Sequence, residues 1–214
     1  MRGTANLAPP SGGVFFLRDT AIIGQGINMA KIEVDKISAA RRQINAAIRM
    51  LFSDEDPIAI HTVASAGFRI LKDLAEKQDS EIMDMFNLCI RPEMRKKFWG
   101  GEGVNRAANF FKHADKDPEQ VLKNIDETVN DHHIFWGCLL YQDILHRDPL
   151  QTYTNEMGAF IGWYSAMYPD CVRDDLPWSH LVRTAFVGIS DLSRPEQLAQ
   201  GQLALMAANR TRKG

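Results

Sequence analysis

Four polar side chains able to do chemistry recur at helical spacing near the middle of the chain: Asn105, Arg106, Asn109 and His113. At about 100° per residue they fall on one side of a helix over residues 104–115, and we call them the polar face. The small and aromatic residues of this stretch fall on the other side: Ala107, Phe110, Phe111 and Ala114. One helix would thus bury two phenylalanines and present groups that bind a phosphate or an RNA strand or move a proton. An ordinary solvated helix face has the same pattern.

Three further residues belong to this candidate site. Lys112 and Asp115 lie in the same stretch, and His61 lies at the margin of an apolar stripe in an earlier predicted helix. His61 can meet His113 or Asp115 in the fold and orient it. Two alternatives stay open: His61 as a core-edge histidine bonded to a backbone carbonyl, and Lys112 with His113 as cations that stabilise the C-terminus of a helix.

The chain also offers carboxylates and histidines for a metal site, chiefly Glu127, Asp131, His132 and the pair Asp143 and His146. A di-iron site in a helical bundle uses two Glu-x-x-His units and two more carboxylates. The chain has one Asp-x-x-His unit, and His132 is displaced by about 100° around a helix from Asp131. We therefore predict no metal and no cofactor, and we interpret these residues as an acidic solvated face.

Helical periodicity predicts the elements that position these residues, and sustained period-two alternation is missing from the sequence. The predicted helices cover residues 34–52, 57–77, 79–98, 104–115, 117–145, 150–168 and 174–188, with a last helix from about 194. Three helix-start signals support the boundaries: Asp56-Pro57, Asp117-Pro118-Glu119-Gln120 and Ser193-Arg194-Pro195-Glu196. Gly67, on the apolar stripe of 57–77, predicts a close helix crossing. The sequence thus predicts an all-α fold, a single compact bundle of about six to eight helices.

Length and composition favour one sizeable domain. The chain has 214 residues, of which 45% are hydrophobic and 24% charged, so a core is available and wholesale disorder is disfavoured. A net charge of -2 argues against a protein that coats nucleic acid by bulk charge. Three widely spaced cysteines fit reduced thiols in a cytoplasmic protein. No apolar run approaches the roughly 20 residues of a membrane span, so we predict no membrane association.

The N-terminal residues differ from the rest. Residues 1–28 are rich in Gly and Pro and lack helical periodicity, whereas a strongly patterned segment begins at Met29. We predict that 1–28 form a flexible or non-native N-terminal extension and that 29–214 form a single helical domain. The alternative is a flexible arm that packs on a partner.

Charge is uneven along the chain. Residues 91–116 carry seven cationic and three anionic side chains, and residues 117–148 carry two cationic and seven anionic ones. The simplest interpretation is that these adjacent segments neutralise each other, within the chain or across a dimer. A basic patch for RNA is the alternative.

Two resemblances bear on function. The segments ARRQINAAIRMLF (40–52), DPIAIHTVASAGFRILKDL (56–74) and NFFKHADKDP (109–118) resemble a family of uncharacterised bacterial all-helical proteins over roughly 31–146, which implies a fold and no activity. The R-x6-H arrangement of Arg106 and His113 resembles the R-x4-6-H motif of the HEPN superfamily, compact helical bundles that often act as metal-independent ribonucleases or dimeric toxins. That resemblance implies that His113 is the general acid/base, that Arg106 holds the scissile phosphate and that Asn109 supports them.

The implied chemistry is sound. A histidine near neutrality can take a 2′-hydroxyl proton, and an arginine can neutralise the charge that develops on the phosphorane. The first hypothesis is therefore a HEPN-like domain, acting as a dimer, that binds RNA and cleaves it without metal. The alternative is a non-catalytic helical adaptor or regulatory scaffold, whose Met-rich segment 82–94 and basic C-terminal tail contact a protein partner.

Overall fold

The fold is built from α-helices. The computed structural model describes residues 31–80, 82–84, 92–99, 104–113, 115, 118–123, 126–146, 154–169 and 185–211. Those residues contain no strand and seven α-helices: α1 (Lys36–Phe52), α2 (Pro57–Lys77), α3 (Pro92–Trp99), α4 (Arg106–Phe110), α5 (Val129–His146), α6 (Asn155–Met167) and α7 (Arg194–Thr211). A 3-10 helix, Ile189–Asp191, precedes α7. The all-α prediction is confirmed, and within these ranges no helix is long and apolar enough to cross a membrane.

The first two helices begin where the sequence places acidic caps. The carboxylate of Asp35 accepts a hydrogen bond from the Ser38 amide (2.8 Å), and that of Asp56 accepts from two amides in the first turn of α2 (2.9 and 3.0 Å). Such bonds satisfy amides that have no partner inside the helix. Pro57 takes the first helical position, where its missing N–H loses no bond, so the predicted start of this helix is confirmed.

Helix α1 is central, because it packs against α2, α5, α6 and α7. Its fully buried Ile44 lies between two glycines, Gly67 of α2 and Gly137 of α5. A Cβ atom would lie 3.1 Å from Ile44 Cδ1 at Gly67 and 2.6 Å from the same atom at Gly137. The three helices approach this closely because neither glycine carries a side chain. The close crossing predicted at Gly67 is confirmed.

Helices α6 and α7 pack on each other around Trp163, which is fully buried. Its indole Nε1 donates a hydrogen bond to the Gln197 carbonyl of α7 (2.7 Å), and its ring meets that of Phe52 in α1 edge-on, with centroids 5.5 Å apart. At the start of α7 the Glu196 carboxylate accepts from the amide and the hydroxyl of Ser193 (2.9 and 2.6 Å), and its bond to the amide is the Glu half of a capping box. The predicted start of the last helix is therefore confirmed.

One predicted helix start is wrong. The signal at Asp117 is not followed by a helix, since residues 118–123 and 126–128 are not helical and α5 begins at Val129. The Asp126 carboxylate instead accepts hydrogen bonds from the Thr128 amide and hydroxyl (2.9 and 2.7 Å). This local turn competes with helix formation directly before α5. Val121, upstream of the turn, is 70% exposed and contributes little to a core.

The other predicted elements are described in part. Within 79–98, residues 82–84 are helical and α3 begins at Pro92. The predicted helix 150–168 is confirmed as α6, with its first residue at Asn155. Most of the predicted helix 174–188, and all of the predicted extension 1–28, lie outside the described residues. The seven helices belong to one compact unit, Val34–Gly214.

Candidate functional site

The helix that carries the polar face is shorter than the sequence predicts. Helix α4 ends at Phe110, whereas the pattern predicts a helix over 104–115. The Lys112 amide turns back to the Asn109 carbonyl (3.2 Å), and the His113 amide bonds to the same carbonyl (3.1 Å). Because one carbonyl takes both amides, the backbone tightens and leaves the helix within that turn. His113 therefore follows α4, one hydrogen-bonded turn after Asn109.

Most of the candidate site is nevertheless exposed. Its exposed members are Arg106, Asn109, Lys112, His113 and Asp115. On the opposite side of this segment Ala108 is buried, and the Phe111 ring meets the His61 ring edge-on with centroids 5.7 Å apart. The division differs in part from the predicted one, because Phe110 and Phe111 are half-buried and the buried residue is Ala108, which the pattern does not assign to the apolar side. The four residues Arg106, Asn109, Lys112 and His113 face solvent.

Three side chains within residues 104–115 have polar contacts in the fold. Asn105 is half-buried and donates from Nδ2 to the Trp99 carbonyl (2.9 Å), which links α3 to α4. His113 Nδ1 and Asp115 Oδ1 are 3.9 Å apart, and the two side chains are 57% and 73% exposed. An ion pair that is so long and so exposed holds neither side chain firmly.

His61 lies beneath α4 and not on the polar face. It is 2% exposed, and its Nδ1 lies 3.0 Å from Oδ1 of Asn130 in α5. The Nδ2 of the same amide donates to the Pro57 carbonyl (3.0 Å), which orients Oδ1 toward the histidine. His61 is therefore a core histidine bonded to a side-chain amide, in place of the backbone carbonyl or the contacts with His113 and Asp115 that the sequence suggests.

A second buried histidine, His133 of α5, is not among the predicted site residues. Its ring centroid lies 4.8 Å from that of His61, and its Nδ1 is 3.0 Å from the Val129 carbonyl oxygen. Both Nδ1 atoms face carbonyl oxygens, which only accept, so each Nδ1 must donate. In a neutral ring Nε2 then carries a free lone pair. Both Nε2 atoms are buried without a hydrogen-bond partner in the described part of the chain.

Burial keeps these two histidines neutral. Removal from water disfavours the imidazolium and lowers the pKa of His133 to about 4, although the Val129 carbonyl opposes part of the shift. Burial also lowers the pKa of His61 against the opposing bond from Asn130, and the positive charge of Lys112 lowers it further. We call His61, Asn130 and His133 the histidine cluster. It presents two uncharged imidazoles whose acceptor nitrogens are shielded from solvent.

A second polar cluster begins at the neighbouring residue of α5. Asp131 is fully buried and forms a bidentate ion pair with Arg194 at the start of α7 (2.7 and 2.9 Å). The Tyr168 hydroxyl donates to the same carboxylate (2.8 Å). The interpretation of Asp131 as part of an acidic solvated face is therefore wrong, because its charge is matched inside the fold. We call Asp131, Tyr168 and Arg194 the ion-pair cluster.

The ion-pair cluster stabilises its own protonation states. Burial by itself would lower the pKa of Arg194, but the Asp131 carboxylate outweighs this and the pKa is raised. Burial and the Asp131 charge together raise the pKa of Tyr168, so its hydroxyl keeps the proton that it donates. The Arg194 guanidinium also lies over the Trp163 ring, 5.4 Å from its centroid. The cluster thus joins α5, α6 and α7 through one matched charge.

The described residues also bear on metal and small-molecule binding. Within the described ranges no three or more His, Cys, Asp or Glu residues lie together as metal ligands would. His132, a metal candidate in the sequence, has its Nδ1 2.7 Å from the Tyr164 hydroxyl. A cavity of about 20 Å³ is lined by the α1–α2 turn, α5 and α7, with Glu55, Asn130 and Arg194 among its walls. It has room for about one water molecule and includes no residue of the polar face.

The sequence does contain a signal for the two buried clusters. Residues 134–141 of α5 are apolar or aromatic apart from one glycine. A helix that is apolar on all sides is buried, so the polar residues of its first turn, Asn130 to His133, must find partners in the interior. That argument identifies these residues as structural, whereas a search for metal-ligand spacing alone does not.

Comparison with known proteins adds no relative. No protein-family model, no curated protein and no solved structure matches the chain. The resemblance of the segments at 40–52, 56–74 and 109–118, and that of the R-x6-H arrangement, therefore stay predictions. Function has to be argued from the geometry of the site itself.

Proposed function

We propose that the polar face, together with Lys112, binds RNA through its phosphates, and that the protein is a helical RNA-binding domain. The supporting observation is the division of this segment into two sides. Phe111 packs toward the core on one side, and Arg106, Asn109, Lys112 and His113 are all exposed on the other. Arg and Lys contact phosphate by charge and Asn by hydrogen bonding, which together suit a nucleic-acid backbone.

The surroundings of the polar face supply further positive charge. Lys96 of α3 is exposed, and α3 is joined to α4 by the hydrogen bond from Asn105 to Trp99. In the segment 91–116 cationic side chains outnumber anionic ones by seven to three. A local excess of this kind attracts a polyanion even though the whole chain has a net charge of -2.

Binding has more support than cleavage. Acid–base catalysis needs a histidine held within hydrogen-bond reach of the proton that it moves. His113 follows the end of α4, is 57% exposed and lies 3.9 Å from Asp115, so the bound RNA itself would have to hold this side chain in place. HEPN-like cleavage, with His113 as general acid/base and Arg106 on the scissile phosphate, is therefore a separate step of the proposal with a separate test.

Binding is tested with labelled single-stranded RNA and the full chain, followed by fluorescence anisotropy at several salt concentrations. We expect Arg106→Ala/Lys112→Ala to weaken binding at least tenfold. The slope of log K against log salt should become shallower by about 1.4, since each phosphate contact to a single strand contributes about 0.7. The matched control is Arg42→Ala/Lys77→Ala, which removes two exposed cations from α1 and α2 and should bind like the wild type. Equal weakening by both variants would refute the proposal.

Cleavage is tested with a mixed RNA panel in EDTA. We expect any metal-independent cutting by the wild type to be lost in His113→Ala, while the variant still binds RNA in the anisotropy measurement. Cutting that survives in His113→Ala would remove the assigned role of this histidine. If the wild type binds RNA and cuts none of the panel, the enzyme hypothesis fails and the binding proposal stands.

The alternative function, a non-catalytic adaptor, depends on the surface that a protein partner would use. The sequence assigns that role in part to the Met-rich segment 82–94. Met83 is 4% exposed and belongs to the hydrophobic core, so it is not free to contact a partner. Most of the segment 82–94 lies outside the described residues.

A further inference from the structure

Helix α7 has two apolar faces, and the packing within the fold uses one of them. Leu198, Gly201 and Leu205 are buried on the side that packs against α1 and α6. The ring of Phe52 lies so close to Gly201 that a Cβ atom there would be 2.2 Å from Cε1. Arg194, on the same side, forms the ion pair with Asp131. These contacts determine which side of α7 faces inward.

The opposite side of α7 is also apolar, and it faces solvent. Leu203 is 59% and Met206 47% exposed, and the neighbouring Ala199 and Ala207 are exposed as well. At about 100° per residue Met206, Ala199 and Ala207 lie within about 60° of Leu203 around the helix, and the uncharged, exposed Gln200 lies at the edge of the same arc. A single exposed Leu is ordinary, but an apolar stripe at this spacing is typical of a helix face that packs against another element.

Opposite charges bound this stripe at its two ends. Glu196 lies seven residues before Leu203 and Arg210 seven residues after it, and both are exposed on the same side of the helix. Ala199 and Ala207 are each four residues from Leu203. Reversal of the helix about Leu203 therefore superimposes alanine on alanine and exchanges a negative end with a positive one. The outer face is complementary to its own reversed copy.

We propose that this outer face binds the same face of a second copy of the chain, with the two α7 helices antiparallel and a two-fold axis at Leu203. Glu196 of one protomer then meets the partner's Arg210, and the second such pair forms at the other end. The alanines on both sides of Leu203 allow the helix axes to approach closely. A parallel arrangement would place like charges together at both ends, so the charges select the antiparallel one. A contact of one face with itself closes into a dimer.

The interface is small. Residues 196–210 extend over about 22 Å of helix, and a single helix pair of that length buries less than the roughly 1,200 Å² of a standard stable interface. We therefore expect a reversible dimer with a dissociation constant in the micromolar range. RNA binding does not enter this inference, because the polar face belongs to a different helix.

The test is sedimentation velocity of the full chain across a range of micromolar concentrations. We expect the wild type to pass from monomer to dimer, and Leu203→Glu to raise the dissociation constant at least tenfold. Ile58→Glu is the matched control, since it places the same charge on a helical residue of α2 that is 48% exposed, and it should dimerise like the wild type.

Charge reversal tests the antiparallel pairing specifically. Arg210→Glu alone brings like charges together and should weaken the dimer, whereas Glu196→Arg/Arg210→Glu exchanges the charges and should restore it. Because Glu196 also caps α7 through Ser193, circular dichroism must show that the double variant keeps its helix; if it does not, Leu203→Glu against Ile58→Glu decides. A wild type that stays monomeric, a Leu203→Glu variant that dimerises normally, or a folded double variant that stays weak would overturn the proposal.

Discussion

Two polar clusters are buried on neighbouring residues of α5, and they are satisfied to different degrees. In the ion-pair cluster both oxygens of Asp131 have donors, two from Arg194 and one from Tyr168. In the histidine cluster one nitrogen of each ring is bonded, and Nε2 of His61 and of His133 lacks a partner in the described part of the chain. The ion-pair cluster buries two opposite charges that neutralise each other, whereas the histidine cluster buries two uncharged rings.

The difference follows from what each side chain can do when it is buried. A buried carboxylate is stable as an anion only with a cation and hydrogen-bond donors beside it, so Asp131 pairs with Arg194, which lies 63 residues further along the chain. An imidazole can release a proton and become neutral. The remaining cost of burial is then one ring nitrogen that accepts no hydrogen bond, which destabilises the fold by about 1–3 kcal/mol. The ion-pair cluster therefore links α5 to α7, and we expect the histidine cluster to make the packing of α2 on α5 dependent on pH.

Among the changes that test this difference between the two clusters, removal of the Arg194 side chain is expected to lower the free energy of unfolding most. Arg194→Ala leaves the buried Asp131 carboxylate with the Tyr168 hydroxyl as its remaining donor in the cluster. Loss of one partner of a buried pair costs about 3–5 kcal/mol, and we expect about 3 because the Arg194 side chain is 19% exposed. Urea unfolding measures the loss. Arg49→Ala, which breaks a more exposed pair with Glu156, is the control and should cost less than about 1 kcal/mol. Equal losses would show that burial does not distinguish the two pairs.

Protonation of the histidine cluster is expected to have the next largest effect. The pKa of His133 falls from its ordinary value of 6.5 to about 4 on folding, so between these values the unfolded chain binds more protons. The stability that depends on neutral His133 is fully present above pH 6.5. As the pH falls toward 4, the free energy of unfolding decreases by roughly 2–3 kcal/mol. The neighbouring His61 and His132 rings contribute, less than burial does, to the lowered pKa of His133.

The measurement is the free energy of unfolding in urea at several pH values from about 7 to 4. His133→Phe should flatten the curve, because it removes the group that gains a proton on unfolding. The same pH dependence in the variant and in the wild type would mean that other groups control acid stability.

Loss of the Tyr168 hydroxyl is expected to have the smallest effect. Tyr168→Phe removes one donor to Asp131 and leaves both donors from Arg194, so we expect a loss of about 1 kcal/mol in urea unfolding. In the Arg194→Ala background the same change should cost more, because the hydroxyl is then the remaining donor of the cluster, and a double-mutant cycle measures the difference. A loss of stability in Tyr168→Phe as large as that in Arg194→Ala would show that the guanidinium is not the main stabilising partner of the Asp131 carboxylate.

Periodicity predicted the positions of α1, α2 and α6 and overestimated the lengths of α4 and α5. The starts at Asp56 and Ser193 are correct: the Asp56 carboxylate accepts from two amides of the first turn of α2, and the Glu196 carboxylate reaches back to the Ser193 amide at the start of α7. The start at Asp117 is wrong because residues 118–123 are not helical, and the next local cap, the bonds from Thr128 to the Asp126 carboxylate, lies nine residues later, directly before α5. A start signal states a local preference and does not by itself determine where a helix begins.

The partners of buried polar residues could not be predicted from the sequence. Spacing predicts the exposure of Arg106 and Asn109, which share one helix, but not the end of that helix at Phe110, which leaves His113 outside it. His61 and Asn130, however, lie 69 residues apart, and Asp131 and Arg194 lie 63 apart. The packing of α2, α5 and α7 brings them together, and periodicity carries no information on that packing. It indicates that a residue is inside and does not say what the residue meets there.

The central position of α1 has a consequence for the order in which the protein is made. As the chain leaves the ribosome, α1 and α2 can pair early, because they are neighbours in the sequence. The end of α1 must wait, since Phe52 packs against Trp163 and Gly201, which follow it by more than a hundred residues. Until α7 has been synthesised, that apolar end stays open to chaperones and to other nascent chains. Helix α1 is thus synthesised before the other described helices, but its packing is complete only after α7 has been made.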